Sequence, residues 1–264
     1  MTSGTLVAGA AYATAAALVY GFVAHRMARR NATNPEVRFA ASLYALWWAG
    51  VGATSVVVAA SNALGAAGVR SLIPYIALDY LGLLAVCVAV WGLLYYVAYL
   101  LWGNGNRILT VLTLFYGANV LIILVQLTLA RPMDVHVSRW RADLVYDQST
   151  APAVVLALGT LVLLPIMIAT VAYFSVYFQA VDASARYRVA AVTTSILVWL
   201  EGLFLGHIPS LADHDGWQIA GHLATFASAL IVLAAYHPPA WLARQLAADV
   251  RGTRLPQASD GDRR

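Results

Sequence analysis

Seven apolar stretches, each close to twenty residues or longer, leave this chain few ways to fold. They run Thr5–His25, Phe39–Leu64, Leu72–Trp102, Ile108–Ala130, Ala151–Ala180, Val189–Pro209 and Gln218–Tyr236. A helix needs about 20 residues to cross the ~30 Å hydrocarbon core of a bilayer, and within lipid every backbone amide must find its partner inside the structure. Alternation of period two along these stretches, the mark of a membrane barrel, is missing. The chain is 61% hydrophobic and 11% charged, whereas soluble domains are about 25% charged. The expected fold class is all-α, a polytopic seven-transmembrane-helix bundle in contact with the lipid bilayer.

The distribution of arginine sets the expected orientation. With the amino terminus outside, the inner loops and tail hold twelve of the sixteen arginines, and Arg70, Arg131, Arg139 and Arg141 fall outside. That excess is the positive-inside pattern, and it accounts for the net charge of +4 without a nucleic-acid partner. The opening residues MTSG carry no positive charge ahead of the first apolar run, which is the wrong polarity for a cleaved signal peptide. Residues 1–239 are expected to form the transmembrane domain. Residues 240–264 form a cytoplasmic tail, with WLARQLAADVRGTR spaced as a surface-lying amphipathic helix and a disordered end. The single cysteine, Cys87, permits no internal disulfide and no thiolate metal site. The longest outer loop, Arg131–Thr150, alternates in charge and is expected to be a solvated connection. A cap over an outer vestibule is the alternative.

Ionisable groups inside a span are costly enough to be functional-site candidates. Asp79 lies near the outer end of the third stretch, Glu201 and His207 in the outer half of the sixth, and His222 one turn into the seventh. Tyr116, Asn119 and Gln126 share a face of the fourth. Thr54 and Ser55 come from the second, and Gln218 and Thr225 from the face of the seventh that carries His222. Asp79, Glu201, His207, His222, Asn119 and Gln126 are therefore the candidate ligand-binding residues, with no catalytic or metal site assigned. The bland alternative for the Asn, Gln and Thr side chains is interhelical hydrogen bonding, worth about 1 kcal/mol each. Gly202 and Gly206 make a GxxxG beside Glu201, which would bury the carboxylate against a neighbouring helix. Trp91, Tyr95, Tyr99 and Trp102 form an aromatic stripe on the third stretch, expected to be packing or interfacial belt.

The plan of seven helices, outside amino terminus and an acid in the third span resembles that of microbial rhodopsins. The sequence contains no lysine, so no covalent retinal Schiff base can form. The chain also resembles the seven-helix input region of bacterial and archaeal membrane histidine kinases. The features shared are HRMARRN leading into RFAASLYALWW, the acid-bearing third span, and the exit YHPPAWLAR; no transmitter region follows them. This resemblance implies ligand or membrane-state sensing at a prokaryotic plasma membrane, with a separate cytoplasmic signalling partner. It supplies no site residues. The leading expectation is a non-enzymatic receptor that binds a small molecule in the outer half of the bundle. One alternative is a redox or cofactor protein holding haem or a pigment between His207 and His222. A second is an intramembrane enzyme or transporter with Glu201 or Asp79 as proton carrier. Small residues from Ala8 to Ala17 suit packing within the bundle or in an oligomer.

Overall fold

A computed structural model of the chain describes residues 2–29, 35–103, 107–129, 131–147, 159–180, 182–207 and 214–252. Among them are eight α-helices: α1 (Thr2–Ala28), α2 (Pro35–Ala66), α3 (Leu72–Trp102), α4 (Arg107–Leu129), α5 (Leu164–Gln179), α6 (Ala183–His207), α7 (Asp215–Tyr236) and α8 (Ala240–Gly252). Between α4 and α5 lie two strands, β1 (Pro132–Val137) and β2 (Ala142–Tyr146).

Local chemistry explains several boundaries. Proline at the first position of α2 costs no hydrogen bond, because that amide has no partner in a helix, and Glu36 follows in the positive first turn. At the other end, Gly68 takes φ +75°. Its N–H donates to the Gly65 carbonyl, and that of Val69 to the Leu64 carbonyl. This double bond closes a helix end only where the turning residue tolerates a left-handed backbone. A π-helical turn, Gly159–Leu163, runs into α5. Pro165 sits at its junction and lacks the N–H for the regular ladder, which is where such widened turns arise.

Four helices among the described residues are long and apolar enough to cross a membrane: Gly4–Ala28, Pro35–Ala66, Leu72–Trp102 and Asp215–Tyr236. The chain is a helical integral membrane protein. Two shorter helices, Leu109–Ile122 and Leu164–Gln179, are also apolar. Helix α1 packs on α2 and α7, α2 on α3, α3 on α4 and α5, α5 on α6, and α6 on α7. The helices thus close into a ring, with α8 touching α6.

The core is built on adjacent indoles. Trp47 and Trp48 are fully buried. Trp48 stacks on Tyr20 of α1 at 5.6 Å, and Trp47 meets Trp199 of α6 edge-on at 5.5 Å, so α2 ties two sides of the ring together. Helices α2 and α3 approach closely because glycine faces backbone at the crossing. A Cβ on Gly50 would stand 2.7 Å from the Ala85 carbonyl, and one on Gly92 3.0 Å from that of Leu43. In lipid, where helices gain little from apolar burial, this close packing is a main source of cohesion.

Candidate functional site

The loop expected to be a solvated connection is instead folded structure. Strands β1 and β2 pair antiparallel from Pro132↔Tyr146 to Val137↔Ala142, with a bulge between Pro132 and Asp134. Val135 and Ala142 bury against Tyr75 of α3. The alternation in MDVHV places Val135 and Val137 on the face toward the helices, with Asp134 and His136 on the other.

The turn of this hairpin is fastened over one end of the ring. Asn62 of α2, wholly buried, donates from Nδ2 to the Trp140 carbonyl (3.3 Å) and accepts the Ala142 N–H at Oδ1 (3.1 Å). His222 of α7 donates from Nε2 to the same carbonyl at 3.1 Å, which fixes the tautomer with its proton on Nε2. Gly9 of α1 leaves the space: a Cβ there would meet the Trp140 oxygen at 2.8 Å and His222 Nε2 at 3.2 Å. Ser138 Oγ donates to Gln218 Oε1 (2.9 Å), Thr5 to the Arg139 carbonyl, and Arg139 pairs with Asp215 at 2.8 Å. The last pair is exposed on both sides and contributes little by itself. On the far strand the Tyr146 hydroxyl donates to Asp79 of α3. Burial first, and then the Asp79 carboxylate, hold that hydroxyl well above the ordinary tyrosine value.

Beneath the hairpin is a cavity of about 80 Å³. Its polar lining comes from Thr54 and Ser55 of α2, Arg141 of the hairpin, and Gln218, His222 and Thr225 of α7, with Trp199 and Gly202 of α6 completing the wall. At roughly 30 Å³ per water the space suits two or three waters or one small ligand. Arg141 is 12% exposed and Asp143, the carboxylate that holds it at 2.6 Å, is 42% exposed. The pair lies within electrostatic reach of both Asp79 and His222.

The candidate residues are thus partly gathered and partly dispersed. His222 lines the cavity together with Thr54, Ser55, Gln218 and Thr225. Asp79 is half-buried and anchors the hairpin rather than lining the space. Glu201 is exposed on the outward side of α6; the expected burial by its glycine neighbour does not occur. It is Gly202 that faces α7, where a Cβ would stand 3.0 Å from the Gly221 carbonyl. One residue along a helix is a turn of about 100°, and this carries Glu201 away from the cavity. Asn119 is half-buried on α4 and does not line the cavity. The side chains of His207 and Gln126 lie outside the described residues, and so does the geometry of a cofactor bridging His207 and His222. Among the described residues no three His, Cys, Asp or Glu side chains come together as a metal site.

Sequence reasoning passed over Asn62 and Arg141. The available signal for Asn62 was a full amide inside an apolar stretch. Arg141 was counted only for orientation.

No family model matches the chain, and no curated protein matches it.

Proposed function

We propose that the chain is a seven-span membrane receptor, amino terminus outside, that binds a small hydrogen-bond-accepting molecule under the outer hairpin and passes the change to a separate inner partner. The observation that carries the reading is the cavity bounded by Arg141 of the hairpin and lined by hydroxyl, amide and imidazole groups, with His222 also bonded to the Trp140 carbonyl of the hairpin turn. A pocket with few, convergent polar groups in an apolar surround is the usual form of a small-molecule site. The Arg141 guanidinium favours a carboxylate, a phosphate or a carbonyl compound over a cation. The Thr54, Ser55 and Thr225 hydroxyls, which donate to the Val51 and Gly221 carbonyls of their own helices, offer acceptor lone pairs to a ligand hydroxyl or amide. The hairpin bonds to α1, α2, α3 and α7 at once, so a ligand that alters its seating acts on four helices together. Such a ligand shifts the protein between states only by binding them unequally. The ring of helices and the arginine-rich inner side support the seven-span, carboxyl-terminus-inside arrangement.

The test is thermal stabilisation of the detergent-purified protein across a panel of small carboxylates, phosphates and carbonyl compounds. A hit is expected to raise the melting temperature of wild type and to lose that effect in Arg141→Gln and Thr225→Val, with unliganded melting preserved in Thr225→Val. A panel without any hit, or a hit indifferent to both substitutions, removes the cavity as the site.

A further inference from the structure

A second and larger cavity, of about 360 Å³, opens at the opposite end of the ring. It lies between the last turn of α1, the first turns of α2, and the last turns of α3 and α7. Its lining includes Glu36, Tyr44, Tyr96, Tyr99, Tyr236 and Met27. Four tyrosines and one carboxylate around a single space is an unusual concentration in a chain with fourteen tyrosines and only twelve acids in all. The rings hold one another: Tyr44 lies 4.8 Å from Tyr96 and 6.2 Å from Tyr236, centroid to centroid. Tyr99 lies within electrostatic reach of Glu36. The hydroxyl of Tyr44 is buried beside Tyr236.

We infer that this cavity binds an alkylammonium group. Aromatic rings offer their electron-rich faces to a cation, quaternary ammonium above all, and a carboxylate at the rim adds charge complementarity. The cavity stands at interfacial depth, because Trp102 and Trp241 project from the same end of the molecule, 52% and 59% exposed, as aromatic residues do at headgroup level. Two sources of the group reach that depth, the choline or ethanolamine head of a lipid and a free amine from the aqueous side. Arg29 and Arg38, both exposed, follow Met27 and Glu36 by two residues in the chain, and they would meet the phosphate of a lipid head.

The full-length protein, delipidated in detergent, is titrated calorimetrically with choline chloride against matched sodium chloride. Choline is expected to bind and sodium not. Loss of one ring in Tyr99→Leu should weaken binding about two- to fivefold, and Glu36→Gln should weaken it at least as much. Both residues stand at the rim of the cavity, and unchanged melting of the variants shows that the fold is kept. In a parallel arm the protein is passed through mixed phosphatidylcholine and phosphatidylglycerol vesicles and the retained lipid is identified by native mass spectrometry. Preferential retention of phosphatidylcholine, reduced in Glu36→Gln, identifies the headgroup as the source. Choline binding without retained lipid identifies a free amine. Neither choline binding nor phosphatidylcholine preference in wild type, or equal behaviour of wild type and both variants, overturns the inference.

Discussion

Asn62 supplies from one side chain what a neighbouring strand would supply along its edge, a donor for the Trp140 carbonyl and an acceptor for the Ala142 N–H. Its removal leaves a buried backbone group unsatisfied, at a cost of about 1–3 kcal/mol. Asn62→Ala is therefore expected to lower the melting temperature and to open the turn at Ser138–Arg141 to protease. Asn62→Asp keeps the acceptor but sets a carboxylate oxygen against the Trp140 carbonyl in a wholly buried site, so at neutral pH it should melt no higher than Asn62→Ala. Tyr146 adds a pH dependence. Its hydroxyl is raised above the ordinary value when folded, so its contribution is fully present below about pH 10 and declines as the pH climbs beyond that. The sign is that of a group deprotonating more easily in the unfolded chain. Tyr146→Phe is expected to remove about one proton from the alkaline slope of stability, measured as melting temperature from pH 8 to 11; an unchanged slope would place the alkaline transition elsewhere.

Among whole elements, the α2–α3 crossing is the most exacting. A Cβ on Gly50 would stand 2.6 Å from Ala89 Cβ and 2.7 Å from the Ala85 carbonyl, whereas a Cβ on Gly117 of α4 meets nothing within 4 Å. Gly50→Leu should cost about 1–3 kcal/mol or more by overpacking, and Gly117→Leu should leave the melting temperature nearly unchanged. Equal effects at both sites would mean that helix propensity, and not contact, decides. Long apolar helices were legible in the sequence because length in apolar residues is their signal, and four of them, α1, α2, α3 and α7, are long and apolar enough to cross a membrane. The hairpin was not. MDVHV and ADLVY are two short alternating runs inside a charged loop, and what stabilises them is Tyr75, Asn62 and His222, distant in the chain. That Gln218, His222 and Thr225 share a face of α7 could be read from helical spacing; that Thr54 and Ser55 of α2 face them could not. The direction of Glu201 could not, because it depends on which of two adjacent residues, 201 or 202, faces α7.

For the molecule as a whole, orientation is the property most open to measurement. In a Cys87→Ser background, a membrane-impermeant maleimide applied to intact cells is expected to label Met133→Cys on the hairpin. Ala240→Cys at the start of α8 should be labelled only after permeabilisation. The reverse pattern would invert the topology, and labelling of both would break it. The hairpin also bears on how the molecule is made. It is synthesised between α4 and α5, yet its turn bonds to His222, 82 residues further along the chain, and to Gln218, 80 residues along. Contacts so far apart in sequence form late. Helices α1, α2 and α3 can seat the hairpin as soon as it is made, through Thr5, Asn62 and Asp79, but its turn stays unlatched on one side until α7 brings His222 and Gln218 against it.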